Sequence, residues 1–274
     1  MQTLTEHLTL SQIKSELVQI LKLSEFGEAV FEKLNFIFFQ LEILKKNKEL
    51  SADDIDEVRK IFDDRFCRNT IHGYAFLKPY GYAGDFMVID KLHTKYVSPI
   101  YPFKLWDIYM HSQAAPKAVR NRKEYLKKSI INKLDARPLK LLNIASGPCR
   151  DLSELYDVID DPSLLNTTCV DMDSNAIMYA RQVTKLYEPY IKFIEQNALK
   201  LRLESTYDVV WSAGLFDYFN DKVFVYMLKR MLSWCSDGGE IIVGNFNEQY
   251  NPSRLYMEEF CNWHLIHRSS EQLT

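Results

Sequence analysis

Residues 141–152 contain the first group of atoms that could do chemistry. Their sequence, Leu-Leu-Asn-Ile-Ala-Ser-Gly-Pro-Cys-Arg-Asp-Leu, is an apolar strand pattern followed by small residues and the start of a helix. Ala145, Ser146 and Gly147 let a ligand approach the backbone closely, and free N–H groups at a helix N-terminus can hydrogen-bond it. The pattern indicates a ligand-binding turn, although a plain strand-to-helix connection has similar residues.

Polar side chains follow the next two predicted strands. The strand at residues 165–170 ends at Asp171, roughly 20 residues after the turn, where a carboxylate can accept both hydroxyls of a ribose. The strand at residues 190–194 leads to Asn197 and Ala198, and the Asn197 amide can hydrogen-bond an adenine edge. These residues predict a nucleoside-binding edge.

Two more strands complete the predicted sheet. Residues 207–211 form the fourth strand, which leads to Ser212 and Phe216, and residues 240–243 form the fifth. Apolar helical patterns separate the strands, so the sequence predicts a series of βαβ units. We therefore expect an α/β fold with a parallel sheet and a ligand at the carboxyl ends of the strands.

The order of these parts resembles the class I S-adenosylmethionine-dependent methyltransferases. The first motif of that family is an acidic residue followed by three glycines at alternate positions. The corresponding residues here are Asn143, Ala145, Gly147 and Cys149, so one glycine remains. The loss of the others also argues against the Gly-x-Gly-x-x-Gly turn of a dinucleotide site.

The resemblance implies a Rossmann-like sheet, S-adenosylmethionine as cofactor, and a set of binding residues. The small-residue turn would lie against the methionine part, Asp171 would hold the ribose, and the residues after the third and fourth strands would meet the adenine and border the methyl-transfer site. The implied cofactor-binding residues are Ala145, Ser146, Gly147, Asp171, Met172, Asn197, Ala198, Ser212 and Phe216.

A narrower resemblance covers most of the chain. The motifs that carry it lie at residues 78–86, 119–122, 244–246, 251–254 and 263–268. They are similar to those of a methyltransferase subfamily whose known representative makes 3-hydroxypalmitic acid methyl ester by methylating a fatty-acid carboxylate. The resemblance implies a small-molecule or fatty-acyl acceptor, and its candidate catalytic residues are Tyr82, Asp85, Arg120 and Asn245.

The chemistry of the acceptor decides which side chains are needed. A carboxylate is ionised near neutral pH and needs only a clamp, which the chain could build from Tyr82, Asn245 and either Arg120 or Arg122. An amine, the alternative acceptor, is protonated and needs a base, for which the candidates are His72, Asp85 and Asp217. The residues alone leave both acceptors open.

Two further classes of function remain open at this point. The eroded glycine motif is compatible with a cofactor-binding regulator that has lost catalysis. The apolar N-terminal helices are compatible with a scaffold that binds a partner protein and no cofactor. Binding of S-adenosylhomocysteine, with or without turnover, distinguishes these classes from an enzyme.

Composition excludes several other classes. The chain has 274 residues, 47% of them hydrophobic, and a formal net charge of −3. Without a basic surface, nucleic acid is not expected as a partner. The five cysteines are widely spaced, so we expect reduced thiols in a cytoplasm and no metal site. We expect neither a signal peptide nor stable membrane insertion.

We predict two domains. A helical N-terminal domain at 1–113 includes a substrate-covering loop at 73–102, and a Rossmann-like domain follows at 114–274. The apolar run at 26–45 predicts a helix buried nearly all round, with a lipid-pocket wall or a homodimer seam as alternatives. Ser51 begins the next helix in the manner of a capping box.

The C-terminal part differs from the family pattern. His264 and His267 are predicted to lie on one amphipathic helix and to have no third metal ligand. Residues 269–272 look like the start of another helix. The two strands that usually close the far edge of the sheet in that family are not expected after it, either because the chain is truncated or because the edge is completed otherwise, and their loss would leave the fifth strand at an exposed edge.

Overall fold

The computed structural model describes residues 8–134 and 137–273, which fall into two compact units. Among the described residues, the first unit contains those from 8 to Lys91 together with Lys95–Lys117 and Pro252–His264. The second contains Leu92–Thr94, Ala118–Asn251 and the residues from Leu265 onward. Pro252–His264 thus belongs to the first unit although it follows the sheet in sequence, a return that sequence reasoning did not foresee, and the predicted domain boundary stays a prediction.

The first unit is helical. Its helices are α1 (Leu10–Leu21), α2 (Glu28–Lys46), α3 (Ala52–Arg59), α4 (Asp64–Asn69), α5 (Ile71–Leu77), α6 (Phe86–His93), α7 (Phe103–Ser112) and the first turn of α8 (Ala114–Ile131). Ser51 begins α3 with the predicted capping box, in which its hydroxyl accepts from the N–H of Asp54 and the Asp54 carboxylate accepts from the N–H of Ser51.

The prediction for α2 was wrong in one respect. Leu34, Ile37 and Leu41 are fully buried, but Phe39 is 55% exposed, so the helix is buried along one face only. The buried side packs against α7, where the Phe38 ring lies 6.3 Å from the Tyr109 ring between centroids. One buried face is enough to hold the helix.

The segment Pro252–His264 joins the first unit through specific contacts. Phe38 of α2 meets Phe260 with ring centroids 5.1 Å apart, and the Ser253 hydroxyl accepts from the N–H of Ala115 at 3.0 Å. Tyr256–Phe260 forms a π-helical turn, and Asn262 then takes a left-handed φ of 49°. The predicted helix through His264 and His267 is therefore wrong, because the chain leaves the helix before reaching them.

The second unit contains the predicted parallel sheet. Its strands are β1 (Leu139–Ile144), β2 (Leu165–Asp171), β3 (Ile191–Glu195), β4 (Tyr207–Ser212) and β5 (Cys235–Val243), in the order β3-β2-β1-β4-β5. The helices α9 (Arg150–Tyr156), α10 (Ser174–Val183) and α11 (Asp221–Trp234) connect them. This arrangement confirms the Rossmann-like fold class.

Alternation along the strands covers both faces of the sheet. Leu141 and Val209 pack on one face with residues of α8 and α9, and Leu142 and Val210 pack on the other with Met227 of α11. Because both faces are covered, most residues of the central strands β1 and β4 are buried, as is usual for a parallel sheet. Within the described residues β5 pairs with β4 alone, and the last element is a short 3-10 turn, Glu271–Leu273.

None of the helices in the described residues combines the length and the apolar character needed to span a bilayer.

Candidate cofactor and acceptor site

The turn after β1 has an alternating left-handed backbone. Ala145, Gly147 and Cys149 have φ values of 53°, 55° and 53°, at the three positions where the methyltransferase motif has glycine. A left-handed conformation costs a residue with a Cβ about 1–2 kcal/mol. The turn therefore keeps the shape that the glycines would favour, although two of them are replaced.

Asp171 holds this turn against the end of β2. One of its carboxylate oxygens accepts the N–H of Gly147 at 2.8 Å, and the other accepts the N–H of Asp173 at 3.0 Å. Burial raises the pKa of this carboxyl, while the backbone donors lower it and offset part of the increase. Each oxygen keeps a second lone pair that can accept from a ribose hydroxyl.

The residues predicted for the adenine end follow at the next strand. The backbone N–H of Gln196 donates to the Asp171 carbonyl at 2.8 Å, which places Asn197 and Ala198 beside the end of β2. The Asn197 side chain accepts the N–H of Leu199 and caps a short 3-10 turn. Met172 is 70% exposed at the same edge. The predicted residues after β1, β2 and β3 therefore lie in one row.

Two buried polar atoms in this row lack a partner. Asn143 Nδ2 and Ser146 Oγ are buried without a hydrogen bond to any described residue. A buried polar group without a partner costs about 1–3 kcal/mol, so such atoms point to a missing ligand. A Cβ added at Gly147 would meet no atom within 4 Å, which leaves open space at this turn. These features fit a polar cofactor.

Ser212 and Phe216 have buried side chains at the start of the loop after β4. The Ser212 hydroxyl donates to the Ile144 carbonyl at 3.0 Å and joins β4 to the end of β1. The Phe216 ring is fully buried, 4.7 Å from the ring of Phe224 between centroids. Both residues lie at the predicted edge, but neither side chain presents a surface there.

Arg122 of α8 anchors the same loop. Its guanidinium donates to the Ala213 carbonyl at 2.6 Å and to the Asp217 carboxylate at 2.7 Å, and it lies 4.6 Å from the Phe246 ring centroid. Asp217 also accepts the N–H of Phe246 at 2.6 Å. Burial raises the pKa of Asp217, and the Arg122 charge opposes that shift. Helical spacing predicted that at most one of Arg120 and Arg122 would enter a shared site, but not which.

Arg268 is a second buried arginine that sequence reasoning named only within a motif. It donates to the Phe219 carbonyl at 2.6 Å, to Asp221 at 2.9 Å and to the Asn245 side-chain oxygen at 2.8 Å. The Asn245 amide nitrogen donates to the carbonyls of Phe246 and Ile266. Asn245 is thus engaged within the loop after β5, and its direct role with a substrate stays a prediction.

The remaining candidates have different environments. Arg120 is partly buried, and burial lowers the pKa of its guanidinium. In the first unit, Tyr82 is exposed, and the buried Asp85 accepts the N–H groups of Met87 and Val88 at 3.0 and 2.9 Å at the start of α6. Contact of Tyr82 or Asp85 with the cofactor stays a prediction.

Across residues 8–134 and 137–273, no group of three or more histidines, cysteines or acidic residues is placed to hold a metal ion.

Comparison with known proteins gives one family and a common fold. Residues 141–239 match the model of the family described as a methyltransferase domain. No curated protein matches the chain. A Bordetella parapertussis structure, described as a possible exported protein, shares the fold at 15% identity with a TM-score of 0.63, over 100% of this chain and 90% of that one.

Two further solved structures show weaker similarity. The N-methyltransferase NodS of Bradyrhizobium japonicum with S-adenosylhomocysteine is 16% identical, with a TM-score of 0.44 over 57% of this chain and 71% of that one. A S-adenosylmethionine-dependent methyltransferase from Geobacter sulfurreducens is 13% identical, with a TM-score of 0.39 over 53% and 57%. The match of residues 141–239 to a methyltransferase domain, on the sheet and turn described above, supports the predicted S-adenosylmethionine-dependent methyltransferase activity.

Proposed function

We propose that the chain methylates the oxygen of a carboxylate on a small molecule or fatty acid. The observation that carries this proposal is the state of the three side chains considered as bases for an amine acceptor. Each already has a structural partner in the fold. A carboxylate acceptor requires no proton removal, so a site without an available base is consistent with it.

The three side chains are occupied in different ways. Asp217 is buried in its ion pair with Arg122. His72 is buried, its Nδ1 lies 3.0 Å from the Tyr256 hydroxyl, and burial lowers its pKa to about 3. Asp85 is buried and caps α6 with its carboxylate. None of these groups is placed as an ordinary base for an amine proton.

The cofactor supplies an activated methyl group, and the chain supplies binding and orientation. Asp171 would accept the ribose hydroxyls while it holds the turn at Gly147. Asn143 and Ser146 would donate to polar atoms of the methionine part. Asn197 and Ala198 would border the adenine.

The acceptor end is proposed to rest on Arg120 and the loop at 78–86. An arginine remains charged at any physiological pH, so Arg120 can orient a carboxylate even though burial lowers its pKa. Tyr82 would donate to the same carboxylate, and Asp85 would hold the start of α6 beneath the loop. The similarity of residues 78–86 and 263–268 to the fatty-acid methyltransferase subfamily favours a fatty-acyl chain.

The test begins with titration calorimetry of the purified chain with S-adenosylhomocysteine. Methyl transfer from labelled S-adenosylmethionine is then measured on matched pairs of acceptors, each a fatty or aromatic carboxylic acid and the corresponding amine. We expect base-labile methyl esters from the acids. Transfer to the amines alone would reject the carboxylate proposal, and cofactor binding without transfer to any acceptor would indicate a regulator.

A further inference from the structure

One surface of the first unit combines exposed apolar and basic side chains. Along α7, Lys104, Ile108 and His111 follow one another at spacings of four and three residues, so they share one helix face. Ile100 and Tyr101 lie in the turn before α7, where the N–H of Lys104 donates to the Ile100 carbonyl at 2.9 Å. The turn and the helix face are therefore continuous.

Tyr96 and Lys91 extend this surface. His111 Nε2 lies 2.7 Å from the Tyr96 carbonyl, and Lys91 Nζ lies 3.8 Å from the centroid of the Tyr96 ring. The large side chains of Tyr96, Ile100, Tyr101 and Ile108 are between 39% and 58% exposed. We call this surface the Tyr-Lys face and define it by Lys91, Tyr96, Ile100, Tyr101, Lys104 and Ile108.

The charges on the Tyr-Lys face have one sign. Residues 91–111 contain three lysines, at positions 91, 95 and 104, and no arginine. Their one carboxylate, Asp107, is fully buried and accepts the N–H groups of Ile71 and Ser98 at 2.7 Å each. The segment thus exposes positive charge only, in a chain whose net charge is −3.

We propose that the Tyr-Lys face binds peripherally to the surface of an anionic lipid bilayer. Lysines can extend their amines to headgroup phosphates while their stems cover apolar surface. Tyrosines favour the membrane–water interface, where the ring is apolar and the hydroxyl is hydrated, and Ile100 and Ile108 can enter the acyl boundary. Charge complementarity therefore selects an anionic bilayer.

The composition favours lipid over nucleic acid. Single-stranded nucleic acid is bound by aromatic rings and arginine, which stack on bases. Residues 91–111 contain no arginine, and the isoleucines offer no stacking surface. This inference goes beyond the proposed methyl transfer, and binding is measured without cofactor or acceptor, so either proposal can fail alone.

The test is flotation of the purified chain with phosphatidylcholine vesicles that contain or lack phosphatidylglycerol. We expect partition to the anionic vesicles to exceed partition to the neutral ones by roughly tenfold or more, and to fall as salt is added. Equal partition to both, or binding to a single-stranded RNA but not to anionic vesicles, would overturn the proposal.

Charge reversal locates the surface. Lys104→Glu, combined with Lys95→Glu at the exposed lysine next to Tyr96, should reduce partition by roughly tenfold or more. The control, Lys185→Glu/Lys229→Glu, makes the same charge change at exposed lysines of the second unit and should retain most of the binding. Tyr101→Ser/Ile108→Ser should remove the part of the vesicle binding that persists at high salt. Thermal unfolding checks that each variant is folded, and an equal loss in the control would reject the assignment to this face.

Discussion

Asp171 and Asp217 are two carboxylates at the carboxyl ends of the same sheet, and burial raises the pKa of both. Asp171 accepts backbone N–H groups from the turn after β1, and the buried polar atoms beside it lack partners. Asp217 instead forms a buried ion pair with Arg122. The difference indicates that the β1–β2 side is built to receive a ligand and the β4–β5 side is built to be rigid.

Loss of the Asp217 charge should have the largest effect on stability. Asp217→Ala leaves Arg122 largely buried without its partner and removes the acceptor of the Phe246 N–H. We expect the free energy of unfolding to fall by about 3–5 kcal/mol. Urea denaturation measures this change.

The Asp221 ion pair provides the control. Asp221 pairs with Arg268, but the Asp221 side chain is 87% exposed. Because Arg268 keeps its hydrogen bonds to the Phe219 carbonyl and the Asn245 side-chain oxygen, Asp221→Ala should cost about 1 kcal/mol or less. Replacing both members of the buried pair, Arg122→Met with Asp217→Leu, should recover part of the loss. Similar costs for the two aspartates would contradict the structural role assigned to Asp217.

In contrast to Asp217, Asp171 should matter more for cofactor binding than for stability. Asp171→Ala removes the proposed acceptor of two ribose hydroxyls, and we expect cofactor binding to weaken by about 2–4 kcal/mol. Asp173→Ala, which removes the cap of α10, should cost about 1 kcal/mol of stability and little affinity. Titration with S-adenosylhomocysteine compares the two, and equal losses of affinity would show that the wrong carboxylate was chosen.

The loop at 78–86 tests whether the first unit also serves the reaction. Tyr82→Phe should leave the melting temperature nearly unchanged and lower methyl transfer at least tenfold, about 1.4 kcal/mol of transition-state stabilisation. Asp85→Asn should also leave the melting temperature nearly unchanged, because asparagine caps helices well. It should lower methyl transfer at least tenfold, because it removes the charge of the carboxylate that is proposed to contact the cofactor or the acceptor. Unchanged turnover in both variants would identify the loop as a connection.

The sheet could be predicted from sequence because each strand is an apolar run followed by polar or small residues. Four of the five strands begin within two residues of their predicted start; β5 begins five residues early, at Cys235, where the apolar pattern is weak. Asp171 could be found because its place after a strand has a defined chemical meaning. Both the strand pattern and the position of Asp171 after a strand are local features of the sequence.

The rest of the site depends on long-range contacts. Arg120 and Arg122 are two residues apart on one helix, and only packing against the loop after β4 selects Arg122 as the partner of Asp217. The return of Pro252–His264 depends on Phe260 and Tyr256 joining the aromatic cluster of the first unit. Neither the Arg122–Asp217 pair nor the return of Pro252–His264 could be predicted from a periodicity or a motif in the sequence.

The smallest predicted effect concerns the turn that takes the place of the glycine motif. Ala145→Gly should relieve a left-handed alanine and stabilise the chain by about 1 kcal/mol, less the entropy that glycine gains when unfolded. Cys149→Gly relieves the same strain but deletes a fully buried thiol 3.7 Å from the Cys169 sulfur, so its net effect should be unfavourable. Cofactor affinity should change little in Ala145→Gly, because the backbone already has the shape that glycine would favour. Urea denaturation and calorimetry test both points: a destabilised Ala145→Gly, or one that gains tenfold in affinity, would show that the alanine side chain itself shapes the turn.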